Sequence, residues 1–398
     1  MELKRVFIFG FIIASFGFLF TTRISWLHSQ SIVDSTSHLV DVIIKFEAFA
    51  QDTLEKCDAP GAAVAVVKDD KILYINGFGV REVGRPEPVD IHTVFRLGSV
   101  SKGFASVLTG ILVENGVLNW DDTVVKYLPD FSLQSLTSTQ NLTIRHILSH
   151  TSGLPQHTFT DLVEDNVPFD VIVRNLSEVP PISPVGKLYA YQNVVYSLIA
   201  PVVKSATGED YEELIAKNIF EPLEMSDASL GRDAFMASPN RAMPHVRRVA
   251  GWTSTEVKNA YYSVPPAAGV NASILDMAKW LRAMMGGAPE IISAATIQEV
   301  TKPHVKTPQE RRKFRGGEFL NNASYGLGWR VFNYAGKKLV YHGGWVAGYR
   351  AEIGFIQEER IGIVVLMNFE NMITSHFLPR FFELYFDFPN DDPYHNSH

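Results

Sequence analysis

The chain is short of cysteine, of positive charge and of low-complexity sequence, and each shortage removes a class of protein. One cysteine, Cys57, among 398 residues excludes an internal disulfide and any zinc site built from cysteines. Its ordinary role is that of a small buried apolar residue. Lys and Arg number 36 against 43 Asp and Glu, a formal charge of −7, so there is no basic footprint for a phosphate backbone and no nucleic-acid partner is expected. With 28 glycines and 21 prolines the chain is neither collagen-like nor a linker, and no internal repeat is visible. Two motifs are also missing: the G-x-S-x-G elbow of α/β-hydrolases and the H-E-x-x-H of zinc proteases. What remains is 46% hydrophobic and 20% charged, the make-up of a packed globular protein long enough to bury a sizeable core.

One long apolar run is present. Lys4 and Arg5 precede Val6 to Phe20, which carries no charge. The run suits a signal-peptide core and is shorter than the roughly 20 residues of a spanning helix. No small-x-small cleavage site follows, and Trp26 is suited to a membrane interface, so an uncleaved anchor is an equal reading. No cysteine stands after the run to take a lipid. Residues 1–30 are therefore expected to be a signal peptide or membrane anchor, 31–388 one folded domain, and 389–398 a polar tail. The folded part is expected outside the cytoplasm, in a periplasm or on the outer face of the cytoplasmic membrane.

Along the chain, Leu39, Val42, Ile43, Phe46 and Phe49 recur at helical spacing before Cys57. Ala62 to Val67 and Ile72 to Ile75 read as strands joined at Asp69-Asp70, and Tyr349 to Ile356 with Ile361 to Met367 as a second hairpin. His376 to Phe386 reads as a closing helix, with Pro379 best placed in its first turn. The middle reads as mostly helical with long loops. The expected fold is α/β of the α+β type: an antiparallel sheet assembled from both ends of the chain, flanked by helices, plus a mostly helical second lobe.

Three short motifs carry chemistry. Ser99-Val100-Ser101-Lys102 opens a helical stretch running to about Glu114, and three-residue spacing on a helix lets Lys102 reach the Ser99 hydroxyl. A serine is a poor nucleophile until a base takes its proton, and burial or a second cation would lower a lysine pKa enough to make it that base. An S-x-x-K triplet turns up about once by chance in this length, so alone it is weak. Tyr191-Gln192-Asn193 offers a tyrosine able to pass a proton, its pKa expected to be lowered by neighbouring cations, and an amide to hold substrate. Tyr74-Ile75-Asn76 has the same pattern but falls in a strand and reads as structural. His342-Gly343-Gly344-Trp345 precedes the last hairpin, its glycines allowing a close approach of substrate to a strand backbone.

These motifs, in this order, resemble the serine β-lactamase and penicillin-binding-protein superfamily, nearest its class C branch with the related D-peptidases and esterases. Pro60 to Val64, Leu142 to Leu154 and Tyr325 to Trp329 look like landmarks of the same family, so the likeness runs from about Leu39 to Phe386. The resemblance implies an acyl-enzyme on Ser99, with Lys102 and Tyr191 sharing the proton work. It implies a substrate-holding Asn193 and an oxyanion hole of the Ser99 and Trp345 N–H groups, with His342 and Gly344 lining the substrate site. It implies no metal and no organic cofactor, and a small-molecule or short-peptide substrate. A β-lactam or related amide is the first expectation; a D-peptide or simple ester is the alternative, and a catalytically silent module the second alternative.

Two departures from that pattern matter. Where class C β-lactamases usually carry Lys-Thr-Gly this chain has His342-Gly343-Gly344, which weakens any grip on a β-lactam carboxylate. No glutamate motif of the class A kind is recognisable. Other features take bland readings. His146 and His150 lie four apart, but no glutamate sits between them as in H-E-x-x-H, and the family landmark gives His150 a structural reading. Arg311, Arg312, Lys313 and Arg315 read as a solvated basic loop. The sequons at Asn141, Asn175, Asn271 and Asn322 are explained by chance.

Overall fold

The computed structural model describes residues 37–314 and 319–388. The apolar run Val6 to Phe20, the 389–398 tail and Arg315 lie outside them. Two compact units are distinguished: Thr53–Pro379, and one made from the two ends of the chain, up to Asp52 and from Arg380 onward. In the latter, helix α1 (37–56) puts Phe46 edge-on to Phe381 at 5.5 Å, as its helical apolar spacing leads one to expect. Among the described residues no helix is long and apolar enough to cross a membrane.

The larger unit begins with the hairpin β1 (Gly61–Lys68) and β2 (Lys71–Gly79). The short strands β3 (Phe95–Arg96), β4 (Ser229–Leu230), β5 (His245–Arg248), β6 (Gly251–Ser254) and β7 (Val270–Ala272) sit among helices. Then come β8 (Val305–Lys306), β9 (Leu320–Tyr325), β10 (Arg330–Tyr334), β11 (Lys337–Val346), β12 (Tyr349–Ile356) and β13 (Ile361–Met367). With β1 and β2, these last six build one eight-stranded sheet in the order β2-β1-β13-β12-β11-β10-β9-β8. Its centre joins the two ends of the chain: β1 pairs antiparallel with β13, Ala62 opposite Met367. Both strands are apolar without alternation because both faces are covered, and the helix Ile274–Arg282 packs on them.

The α+β architecture is the one the sequence implies, with two corrections. The middle of the chain is not only helical: β8 to β11 extend the sheet, and their Asn-, Gly- and Lys-rich sequences become strands through ladder pairing rather than through apolar alternation. The closing helix spans Thr374–Tyr385, so Pro379 lies in its interior. The helix starts early because the Asn371 side chain accepts the Ile373 N–H at 3.0 Å, capping the turn ahead of it.

Helix α2 (Ser101–Glu114) runs through the helical region and is buried on every side from Ser101 to Gly110. Phe104 stacks on Trp280 at 4.0 Å. This placement buries the Lys102 side chain completely.

Candidate active site

Ser99 sits not on α2 but in the 3-10 turn Gly98–Val100 just ahead of it, half-buried, after a Gly98 of φ +52° that redirects the chain. The three-residue spacing to Lys102 survives: Nζ lies 3.4 Å from Ser99 Oγ. The same Nζ lies 2.8 Å from Asn193 Oδ1 and 3.0 Å from the Ala267 carbonyl. Lys102 is wholly buried, and among the described residues no carboxylate bonds to it. Burial, and then the Arg330 charge, holds its amine well below the usual lysine range. A neutral amine has two N–H bonds and one lone pair. The amide oxygen and the carbonyl can only accept, so they take both protons and leave the lone pair for the Ser99 hydroxyl.

The Tyr325–Trp329 landmark fixes the backbone under Lys102. Gly328, at φ +78°, lies against that backbone, where a Cβ would stand 2.7 Å from the Lys102 carbonyl and 2.6 Å from the Tyr196 hydroxyl. Tyr196 donates to the same carbonyl at 2.7 Å, and Gly103 leaves room for the Trp329 ring. The His150 landmark holds the second motif. Its carbonyl accepts the Ala190 N–H at 2.9 Å and its Nδ1 accepts the Gln192 N–H at 3.1 Å, clipping the segment that carries Tyr191. His146 serves separately as a helix cap with Thr143. Among the described residues no group of three metal-ligating side chains comes together.

Tyr191 stands beside Ser99, which pulls its pKa down, and its ring lies 4.7 Å from Lys102 Nζ and 5.6 Å from the Arg330 guanidinium. The expected lowering of its pKa is not found. Burial pushes the phenol up to about 12, more than Arg330 and the Ser99 hydrogen bond pull it down. Tyr191 is therefore held as a phenol while the Lys102 amine is pushed toward its neutral form.

The third motif lies on β11. The two-residue turn to β12 closes on Val346 and Tyr349, so that pair is hydrogen-bonded and the next, Trp345 with Arg350, is not. The Trp345 N–H thus points off β12. Gly98 packs against it, where a Cβ would stand 2.8 Å from the Trp345 nitrogen. Gly344 gives a close approach, but to Leu97 and Ser99 of the chain itself: a Cβ there would stand 3.2 Å from the Ser99 nitrogen. The Ser99 and Trp345 nitrogens are so brought to one place, while the Trp345 ring stays 57% exposed. His342 is wholly buried, its Nδ1 2.9 Å from the Gly343 carbonyl and its Nε2 3.1 Å from Tyr325 Oη.

Ser99, Lys102, Tyr191, Asn193, His342, Gly344 and Trp345 therefore gather at one site. Sequence reasoning missed Arg330 and Glu310, whose buried ion pair (Nε to Oε2, 2.7 Å) stands behind Tyr191 and His342. Arg330 directly follows the Trp329 landmark, which was the available signal. Glu310 stands directly before the basic run read as a solvated loop; it is 4% exposed while Arg311, Arg312 and Lys313 after it are exposed.

A family model described as Beta-lactamase matches residues 46–381. A protein named Unguisins hydrolase ungD from Aspergillus violaceofuscus is 28% identical over 369 residues, covering 83% of this chain and 62% of its own length. Protein flp from Staphylococcus aureus is 24% identical over 359 residues, covering 88% of this chain and 66% of its own. The chain thus spans less than two thirds of either relative. Among solved structures, the octameric penicillin-binding protein homologue from Pyrococcus abyssi superposes with a TM-score of 0.76 at 26% identity, over 87% of this chain and 77% of that one.

Proposed function

The chain belongs to the β-lactamase family, and on that premise we propose that it is a serine hydrolase working through an acyl-enzyme on Ser99. The observation that carries the reading is the wholly buried Lys102 amine, held well below the usual lysine range, whose Nζ lies 3.4 Å from Ser99 Oγ and is otherwise met by two uncharged acceptors. Lys102 accepts the Ser99 proton as Oγ attacks a carbonyl carbon. The oxyanion forms between the Ser99 and Trp345 N–H groups. Tyr191, a phenol at rest and beside Ser99, gives its proton to the departing amine or alkoxide, and the Lys102 proton replaces it. Water then cleaves the ester with the same groups in reverse, regenerating the Ser99 hydroxyl and releasing the acid. Two groups with pKa values pushed in opposite directions thus divide base and acid roles.

The attacked carbonyl belongs to a β-lactam, a D-peptide or an ester, three small substrates with the same reacting group; nucleic acid has no place here. The apolar run Val6 to Phe20 supports export or membrane attachment, which fractionation of cells expressing the full chain would test. Catalysis is tested by intact-protein mass after mixing with a penicillin or with p-nitrophenyl butyrate, Ser99→Ala alongside. The expected result is an acyl adduct on wild type only, with turnover lost by about 1,000-fold or more in the variant. Turnover unchanged in Ser99→Ala would sink the reading. An adduct that persists with penicillin would mark a penicillin-binding protein, and one that clears as drug is consumed a β-lactamase.

A further inference from the structure

His342 is held on both ring nitrogens. Its Nδ1 lies 2.9 Å from the Gly343 carbonyl, which can only accept, so Nδ1 bears the proton. Its Nε2 lies 3.3 Å from Arg330 Nη1, which can only donate, so Nε2 must present a lone pair. Tyr325 donates to the same lone pair at 3.1 Å. Arg330 is in turn fixed by Glu310 at 2.7 Å, with both side chains under a tenth exposed.

We infer that the buried Glu310–Arg330 pair is a positioning device that locks His342 in its neutral, Nδ1-protonated form, and that the site in consequence takes esters or amides with no carboxylate at the point the third motif faces. The second half rests on the acyl-enzyme reading above; the first does not. The groups facing His342 are Arg330 from β10, Tyr325 from β9, Tyr191 from the second motif, Lys102 from α2 and His150, with Glu310 behind Arg330. Glu310, the one carboxylate in this set, is already paired with Arg330. Burial, then Arg330 and Lys102, keep the imidazole well below its usual range. Gly343 offers no hydroxyl either, so the motif presents shape without charge. Arg330 is a positioning residue here: it acts through His342.

The lock is read directly by NMR of protein labelled with 15N-histidine, the His342 signal being assigned by its loss in His342→Gln. Wild type should show the Nδ1-protonated tautomer unchanged from pH 8 to pH 5. An Nε2-protonated ring, or a titration inside that range, would overturn the inference. The paired variant Arg330→Met with Glu310→Gln, which removes both charges together, should move the His342 titration to higher pH and admit the Nε2-protonated tautomer, burial still acting against the charged ring; a signal identical to wild type would show that the pair is not its cause. Arg330→Lys keeps a cationic donor and should keep the lock, and it remains informative should the paired variant fail to fold. Selectivity is read with two p-nitrophenyl esters differing only by a carboxylate beside the acyl carbon. Wild type should prefer the neutral ester by about tenfold or more in kcat/KM, and preference for the charged one would overturn the substrate claim. The NMR arms run equally on Ser99→Ala, so loss of the acyl-enzyme reading and loss of the lock are told apart.

Discussion

Lys102 and Arg330 both lie over the Tyr191 ring, at 4.7 Å and 5.6 Å, and both are buried, yet the pKa of one is pushed well down and that of the other up. The difference is a counter-ion. Lys102 meets an amide oxygen, a carbonyl and a hydroxyl, none of them charged, and its burial is uncompensated. Arg330 meets Glu310 at 2.7 Å; burial pulls its pKa down, and Glu310 with the surrounding tyrosines raises it further than burial lowers it. Two cations in one dry pocket are thereby assigned opposite chemistry: a base on the α2 side, and on the sheet side a fixed charge that keeps neighbouring amines and imidazoles neutral.

The sharpest way to break this contrast is Lys102→Met. If the neutral amine is the base, kcat/KM should fall by about 1,000-fold. Thermal stability should hold or rise, because the native state no longer has to strip a proton and a water shell from a lysine. Activity within tenfold of wild type, measured with p-nitrophenyl butyrate, would remove Lys102 from the base role. The opposite wall should answer in the opposite way. Glu310→Gln leaves a buried guanidinium without its counter-ion and should lower stability by about 3 kcal/mol or more, read by urea denaturation. The paired Arg330→Met and Glu310→Gln variant should recover most of that loss, since removing both charges leaves neither uncompensated. If Glu310→Gln unfolds at the wild-type midpoint, the ion pair is not what stabilises that wall.

The same two walls differ in how far they were legible in the sequence. On the α2 side the information is local: three-residue spacing put Lys102 next to Ser99, the landmark around Trp329 turned out to fix the backbone under Lys102, and the one around His150 to clip the segment that carries Tyr191. The second hairpin was legible to the residue, Tyr349 to Ile356 and Ile361 to Met367, because apolar strands between polar turns advertise themselves. The β8 to β11 edge was not. Its strands are held by pairing partners, and Glu310 meets Arg330 across 20 residues of sequence and an intervening strand. The sign of the Tyr191 shift was illegible for a related reason. Cations can be counted along a chain, but the burial that outweighs them exists only once α2 and the sheet have closed around the ring.

The smallest expected effect tests the neutrality that Arg330 is said to impose. His150 and His342 are wholly buried, and burial holds both well below the usual histidine pKa of about 6.5. Above pH 6.5 both native and unfolded chains carry them neutral, and they contribute no pH dependence. Below it the unfolded chain takes up protons that the native chain refuses, so stability falls as pH falls, by at most about 1.4 kcal/mol per pH unit for each histidine. His146, His157, His245 and His304 are lowered by burial too and act in the same direction. Asp276 works against them: burial, then Asp227, raises its carboxyl to about 6, so the native chain binds that proton first and gains stability as pH drops through this value. One carboxyl against several histidines leaves the net sign unchanged. The thermal midpoint should therefore decline from pH 7 to pH 5, and the decline should be shallower in the paired Arg330→Met and Glu310→Gln variant, where His342 can accept a proton in the folded state. A midpoint that is flat or rises over this range in wild type would mean that these histidines titrate in the folded protein, and the contrast between the two walls would lose its electrostatic basis.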